Sequence, residues 1–236
     1  MDNLKNALNS MDISYNNDAL EKFNLYMEGV LQWNDKINLT AIVDKDQFIK
    51  KHFIDSVVIC QYEEFKNAKH VIDVGTGAGF PGIPLAIIAN DKEFVLMDSL
   101  NKRLKVINTL TESIGIRNAS TLHGRAEEVG KNKEYREKFD ICVSRAVANL
   151  STLVEYCLPL VKIGGYFICY KGPDLEKELV VAETAINKLG GKVEKVEIVN
   201  IPNFELDHRL LFIKKINTTP AKYPRKAGTP AKDPII

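Results

Sequence analysis

A glycine-rich segment, VIDVGTGAGFPG at positions 71–82, has the residue types of a small-molecule site. An apolar run ends in Asp73, and three closely spaced glycines follow before a helical pattern begins. These glycines are Gly75, Gly77 and Gly79. Glycine has no Cβ, so such a turn lets the backbone approach a ligand closely. Asp98 closes the next apolar run, where a carboxylate can accept hydrogen bonds from both ribose hydroxyls of an adenosine.

Two kinds of adenosine ligand fit this arrangement. A dinucleotide places its pyrophosphate on a helix N-terminus, and Gly77, Gly79 and Gly82 match the spacing of that fingerprint, which alone is weak support. S-adenosylmethionine has no phosphate and carries an ammonium group. Asp73 would repel a pyrophosphate and would suit the ammonium, directly or through water. We therefore predict an S-adenosylmethionine-dependent methyltransferase, with a nicotinamide-dependent oxidoreductase and a ligand-free glycine turn as the alternatives.

The elements that must position this segment alternate along the chain. Beyond residue 69, short apolar runs alternate with helical patterns, which predicts βαβ units and a mostly parallel sheet covered on both faces. The predicted strands are residues 70–75, 93–98, 119–124, 139–144 and 165–172. Residues 192–199 and 208–215 follow each other without a helix and predict a closing hairpin with an antiparallel strand. The fold class is therefore α/β, with a Rossmann-like, seven-stranded sheet.

The N-terminal part of the chain has a helical pattern. From Leu20 onward, apolar residues recur at offsets of three and four, and Asn17 or Asp18 is a plausible N-cap. A second helical stretch covers residues 45–60 approximately. The predicted organisation is a helical extension at 1–66, a methyltransferase domain at 67–216 and a basic, proline-rich tail at 217–236.

The composition excludes a disordered or a fibrous protein. The chain has 236 residues, of which 45% are hydrophobic, so it suits one domain with a modest extension. The net charge is only +1, so any basic surface must be local. Scattered histidines and cysteines within apolar runs predict reduced core thiols and no metal site. These cysteines are Cys60, Cys142, Cys157 and Cys169. Without an export signal or a membrane span, the cytoplasm is the expected location.

The chain contains a series of motifs, from Trp33 to the tail, that are more specific than a generic glycine loop. They are WN at 33–34, INLT at 37–40, His52 with Asp55 and Ser56, DVGTGAGFPGIP at 73–84, DSLNKR at 98–103, RAE at 125–127, SRAV at 144–147, KG at 171–172 and YPR at 223–225. With these motifs the sequence resembles the RsmG family, also called glucose-inhibited division protein B. Members are bacterial 16S rRNA guanine-N7 methyltransferases with a class I, Rossmann-like fold.

The resemblance implies a cofactor, a substrate and a set of contacts. The cofactor is S-adenosylmethionine and the product S-adenosylhomocysteine. The substrate is a guanosine in the decoding-centre loop of 16S rRNA or of a small-subunit precursor, and a monomer is expected. The implied cofactor contacts are Gly75, Phe80, Asp98, Ser99, Leu100, Ala126, Glu127 and Arg145. A core role for Phe80 and a solvated Glu127 are the alternatives, and a non-catalytic assembly factor is a further alternative for the whole protein.

The residues after the fourth predicted strand agree with the chemistry of this target. Guanine N7 carries a lone pair and no proton, so catalysis needs positioning and no general base. The Pro-Pro-aromatic motif of amino-group enzymes and the Pro-Cys nucleophile of C5 enzymes are absent, and residues 144–146 are Ser-Arg-Ala instead. Arg145 ends the strand and is the predicted positioning residue. It can grip the guanine O6, a phosphate or the methionine carboxylate, or it can form a structural ion pair.

Several polar residues outside the glycine segment are candidate RNA contacts. They are Asn34, Asn38, His52, Asp55, Lys171, Arg225 and Lys226. A turn cap, a satisfied histidine and an exposed lysine are the alternatives for Asn38, His52 and Lys171. From residue 214 onward, six Lys or Arg stand against one acid, and four prolines exclude a helix or a central strand. We expect an extended tail that contacts rRNA phosphates and not the cofactor, with a disordered tail as the alternative.

Overall fold

The computed structural model describes residues 1–202, 204 and 208–236. Its strands form a seven-stranded sheet in the order β3-β2-β1-β4-β5-β7-β6. They are β1 (His70–Val74), β2 (Glu93–Asp98), β3 (Ala119–His123), β4 (Phe139–Arg145), β5 (Val161–Lys171), β6 (Gly191–Ile198) and β7 (Arg209–Lys215). The pairs β1–β4, β2–β3 and β4–β5 are parallel, whereas β7 is antiparallel to both β5 and β6. The predicted sheet and its closing hairpin are confirmed.

Helices form the N-terminal extension and follow most of the strands. They are α1 (Asp2–Ser10), α2 (Asn17–Asn34), α3 (Lys45–Phe48), α4 (Asp55–Val57), α5 (Glu63–Lys66), α6 (Gly82–Ile88), α7 (Asn101–Ile114), α8 (Ala126–Val129), α9 (Leu150–Cys157), α10 (Leu175–Lys188) and α11 (Thr229–Lys232). A π-helical segment, Ile49–Ile54, and 3-10 turns at Val58–Gln61 and Leu158–Leu160 complete them. The predicted stretch at 45–60 is therefore helical but changes its winding three times, from α to π, back to α and then to 3-10.

Two local predictions are wrong. The N-cap of α2 is Asn16 and neither Asn17 nor Asp18, because the Asn16 side chain accepts a hydrogen bond from the Ala19 N–H at 2.8 Å. The tail contains the short helix α11, with Pro230 in its first turn. Proline lacks only an N–H that has no helical partner at this position, so it is compatible with a helix start.

The chain divides into two compact units. The first comprises Met1–Lys69, Thr76–His123 and Asn200–Leu206, and the second comprises His70–Gly75, Gly124–Val199 and Asp207–Ile236. In the first unit α2 packs against α6 and α7. In the second unit α9 packs against α10, and the central strands β4 and β5 are largely buried. Among the described residues, no helix has the length and hydropathy needed to cross a membrane.

All four cysteines are free and buried, as their apolar runs predicted. Burial raises the pKa of the Cys169 thiol to about 12, and it also raises the pKa values of Cys60 and Cys157. Because the thiolate is the reactive form, these side chains are core residues and not nucleophiles.

A buried lysine links the end of β7 to the beginning of the tail. The Lys215 ammonium is fully buried and donates to the Leu158 carbonyl at 2.6 Å and to the Thr219 hydroxyl at 2.5 Å. The Glu137 carboxylate lies 3.2 Å away. Burial lowers the pKa of Lys215 to about 8, and the negative charge of Glu137 offsets part of this shift.

We expect this lysine to make the stability of the fold depend on alkaline pH. Between the folded pKa of about 8 and the ordinary value of 10.5, the unfolded chain binds the proton that the folded chain has lost. The contribution of Lys215 to the free energy of unfolding should therefore rise with pH across this window, by on the order of 3 kcal/mol. Denaturant titrations of wild type and Lys215→Met at pH 7.5–10.5 measure the difference. A constant difference over this window would contradict the lowered pKa.

Candidate active site

The glycine segment forms a turn whose backbone requires glycine. Gly75, Gly77 and Gly79 have φ values of 75°, 62° and 86°, in the left-handed region that favours glycine. The Gly79 and Phe80 N–H groups both donate to the Thr76 carbonyl at 2.9 Å. The chain thereby reverses direction before α6.

A tyrosine of α2 supports this turn in the first unit. The fully buried Tyr26 donates its hydroxyl proton to the Ala78 carbonyl at 2.8 Å. A Cβ at Gly79 would overlap the Tyr26 hydroxyl and would lie 2.7 Å from the Ile83 side chain. Sequence reasoning placed Tyr26 on no site, because it reads as one more apolar residue of the α2 face.

The Asp98 carboxylate at the end of β2 holds the turn from the other side. It is 4% exposed, and its two oxygens accept from the Gly77 N–H at 2.9 Å and from the Leu100 N–H at 2.8 Å. The guanidinium of Arg103 lies 3.7 Å away. A carboxylate oxygen can accept more than one hydrogen bond, so Asp98 retains acceptor capacity. The neighbouring Ser99 and Leu100 are exposed.

Two further candidates for the site, Asp73 near the end of β1 and Arg145 at the end of β4, lie in the second unit. Asp73 is fully buried, and a Cβ at Gly75 would lie 2.5 Å from the Val147 side chain. Arg145 is half-buried at the end of β4. The following residue, Ala146, has a φ of 56°, which is uncommon for a residue with a Cβ and which turns the chain sharply after Arg145.

Ala126 and Glu127 begin the short helix α8 and are both buried. Glu127 is therefore not a solvated carboxylate. One of its oxygens accepts from the Gly228 N–H of the tail at 2.8 Å, a contact that sequence reasoning missed because the two residues are 101 positions apart.

Two of the predicted RNA contacts are engaged within the protein. The Lys171 ammonium pairs with Glu178 at 2.6 Å and donates to the Ala148 carbonyl at 3.0 Å. The Arg225 guanidinium pairs with Glu155 at 2.8 Å. Because both cations have carboxylate partners, these contacts favour structural roles. Lys226, in contrast, is exposed.

Two of the N-terminal candidates, Asn34 and His52, lie in one network of the first unit. Asn34 caps a turn by accepting from the N–H groups of Leu39 and Thr40 at 2.8 and 2.9 Å. The Thr40 hydroxyl bonds with the His52 Nε2 at 2.8 Å, and the half-buried His52 ring stacks on Phe80 with centroids 4.4 Å apart and planes 3° apart. The structure therefore brings His52 to the glycine turn, although no sequence pattern linked them.

Asn38 and Asp55 differ in their access to solvent. Asn38 is exposed, whereas Asp55 is fully buried. A buried carboxylate is poorly placed to meet RNA, so the geometry favours Asn38 over Asp55 as a contact. In the described part of the chain, no three His, Cys, Asp or Glu side chains are grouped as metal ligands.

These features define a class of protein. A dinucleotide-binding Rossmann sheet has six strands in the order 3-2-1-4-5-6, whereas this sheet inserts an antiparallel strand between the fifth and sixth positions. A sheet of this order, with a glycine turn after β1 and an acidic residue ending β2, is the Rossmann-like fold of class I methyltransferases. A family model described as rRNA small subunit methyltransferase G matches residues 19–206. The chain belongs to this family.

Relatives carry the same name over their full length. A protein named ribosomal RNA small subunit methyltransferase G from Clostridium novyi (strain NT) is 50% identical over 235 residues, which cover 100% of this chain and 97% of that protein. Its namesake from Clostridium kluyveri is 49% identical over 225 residues, which cover 95% and 94%.

Solved structures share the fold. A cofactor-bound protein from MTB has a TM-score of 0.58 at 16% identity, covering 81% of this chain and 90% of that one. A SAM-dependent O-methyltransferase from Thermotoga maritima has a TM-score of 0.54 at 14% identity, covering 80% and 71%.

Proposed function

We propose that this protein transfers a methyl group from S-adenosylmethionine to N7 of a guanosine in the decoding-centre loop of bacterial 16S rRNA. The observation that carries the proposal is the glycine turn whose Gly77 N–H is bonded to the buried Asp98 carboxylate. The family name supports ribosomal RNA of the small subunit as the substrate. We further propose a monomer that acts in the cytoplasm on rRNA or on a small-subunit precursor.

The residues present fit an adenosine ligand with a methionine end. Gly75, Gly77 and Gly79 have no Cβ, so the backbone of the turn can approach a ligand closely, and Asp98 offers acceptors for ribose hydroxyls. The proposed cofactor contacts are Asp73, Gly75, Gly77, Gly79, Phe80, Asp98, Ser99, Leu100, Ala126, Glu127 and Arg145. S-adenosylmethionine, when bound, supplies a methyl group on a sulfonium, whose C–S bond breaks as the N7–C bond forms. The product is S-adenosylhomocysteine.

The chain's own residues have only to position the guanine and keep water out. N7 has no proton to lose, so no side chain has to act as a base. Arg145 can orient the guanine O6 or a flanking phosphate through its forked donors. The half-buried His52, whose ring orientation is set by Thr40 and Phe80, is proposed as a contact of the substrate. Asn34, Asn38 and Lys226 are the further proposed RNA contacts.

Two measurements test the proposal. Calorimetry with S-adenosylhomocysteine should give binding, whereas NADH should give none. Methyl transfer to 16S rRNA from a strain that lacks this modification should then label one guanosine. Binding of S-adenosylhomocysteine without transfer to rRNA, on either naked RNA or assembled particles, would indicate a non-catalytic assembly factor. Binding of NADH instead would indicate an oxidoreductase.

Removal of the Asp98 carboxylate should weaken cofactor binding. We expect Asp98→Ala to cost about 1.5–3 kcal/mol of binding free energy, because charge-assisted hydrogen bonds to the ribose are lost. The bond to Gly77 is lost in the same variant, so the cost should lie towards the upper end. Calorimetry with S-adenosylhomocysteine measures it. Unchanged affinity would remove Asp98 from the proposed site.

The tail offers three exposed cations to RNA. Lys222, Lys226 and Lys232 are exposed, while Arg225 is paired. We expect replacement of all three lysines by glutamine to weaken rRNA binding and to reduce the salt dependence of log K by roughly two to three units of slope, since each phosphate contact contributes about 0.7–0.9. Binding measured at several salt concentrations gives this slope.

A matched control separates an effect of the tail on RNA binding from an effect of the protein's net charge. Lys177, Lys188 and Lys192 are also exposed but belong to α10 and β6, and their replacement by glutamine removes the same charge. This control should leave the slope nearly unchanged. Equal slopes for the two triple variants would mean that the tail has no specific role in RNA binding.

A further inference from the structure

The tail is bound along its length to other parts of the second unit. Arg136 donates to the Thr219 carbonyl at 2.6 Å and to the Tyr223 carbonyl at 2.8 Å. Further on, the buried Thr152 hydroxyl donates to the Pro230 carbonyl at 3.0 Å. These bonds fix the path of the tail at both ends, so residues between them have defined positions.

An ion pair holds the middle of the tail. Glu155 on α9 is fully buried and accepts from the Arg225 N–H at 2.7 Å as well as from its guanidinium at 2.8 and 3.1 Å. The same guanidinium donates to the Asp233 carbonyl at 2.6 Å. Loss of Arg225 would leave a buried carboxylate without this cation, which is strongly unfavourable.

Between these anchors the tail reaches a residue of the proposed cofactor site. Gly228 has a φ of 81° and donates its N–H to the Glu127 Oε1 at 2.8 Å. Glu127 is 5% exposed and belongs to the segment that directly follows β3. In open α/β sheets, ligands bind outside the carboxyl ends of the strands. A buried carboxylate there is suited to the amino group of an adenine.

We propose that the tail is a positioning element for adenine recognition, in which Gly228 holds one oxygen of Glu127 so that the other oxygen accepts from the exocyclic amino group. This inference rests on the proposed function. Adenine presents a donor at this position, whereas hypoxanthine presents a carbonyl oxygen that a carboxylate repels. The tail therefore contributes to the selectivity of the site for adenosine, in addition to any contact with RNA.

Paired ligands test this role. The full chain should bind S-adenosylhomocysteine at least about tenfold more tightly than S-inosylhomocysteine, as expected for one hydrogen bond to a charged group. A chain that ends at Ala227 retains Arg225 but lacks Gly228, and its preference should fall to within about twofold. Asp233→Ala, a control within the removed segment that does not contact Glu127, should keep the full preference.

A second variant keeps the tail intact. In Glu127→Gln the amide oxygen can still accept from Gly228, and its NH2 group would then face the base. This variant should favour the inosyl ligand, because an NH2 donor matches a carbonyl oxygen. An equal loss of both ligands on truncation, or an unchanged preference in Glu127→Gln, would overturn the inference. Failure of the full chain to bind S-adenosylhomocysteine at all would instead overturn the proposed function.

Discussion

Replacement of Gly77 by valine should abolish binding of S-adenosylmethionine and S-adenosylhomocysteine. Gly77 has a φ of 62°, a conformation that is most costly for a β-branched residue. Its N–H is bonded to Asp98, so a shift of the backbone here also displaces the carboxylate proposed for the ribose. A side chain would in addition project where the ligand is expected. We expect affinity to fall at least about 100-fold, which corresponds to a loss of roughly 3 kcal/mol.

Another glycine provides the control for backbone strain alone. Gly115 ends α7 with a φ of 73°, and a Cβ placed there has no atom within 4 Å. Gly115→Val therefore imposes a similar conformational cost outside the proposed site. Calorimetry on both variants, with thermal unfolding to compare their stabilities, should show loss of binding only for Gly77→Val. Equal affinity in the two variants would remove the glycine turn from the cofactor site.

Strand positions could be predicted because their patterns are local. Residues 93–98 contain a short continuous apolar run and end in an acid, and the observed β2 has these bounds. β5 begins at Val161, four residues before the prediction, because two glycines hide the strand pattern of its first half. The parallel pairing followed from the alternation of strands with helices, which is again a property of neighbouring segments.

Contacts between distant residues could not be predicted in this way. A count of charges assigns Arg225 to a basic tail, but its partner Glu155 lies 70 positions earlier in the chain. The stacking of His52 on Phe80 likewise depends on how α2 and the following helical segments pack. Residue types and spacing indicated the glycine turn and Asp98. The residues that support the turn, such as Tyr26, could be identified only from the structure.

The largest effect on catalysis is expected from a change in the substrate. Replacement of the target guanosine by 7-deazaguanosine should stop methylation, because a C–H group then occupies the position of the N7 lone pair. Base pairing and the exocyclic groups of the base are unchanged, so rRNA binding should persist. When the substrate carries the natural guanosine, treatment of the methylated product with borohydride and aniline should cleave the rRNA at one guanosine, since 7-methylguanosine has a labile glycosidic bond. Methylation of the deaza substrate would refute both the N7 assignment and the mechanism without a base.

The same mechanism predicts how the enzyme responds to pH and to replacement of Arg145. No side chain has to gain or lose a proton during the chemical step, so single-turnover rates should vary little between about pH 6 and 9. Arg145→Ala should lower the rate, and Arg145→Lys should restore it only in part, because an ammonium cannot reproduce the two parallel donors of a guanidinium. A rate that rises tenfold per pH unit would instead reveal a required base. Full rescue by lysine would show that Arg145 contributes only its charge.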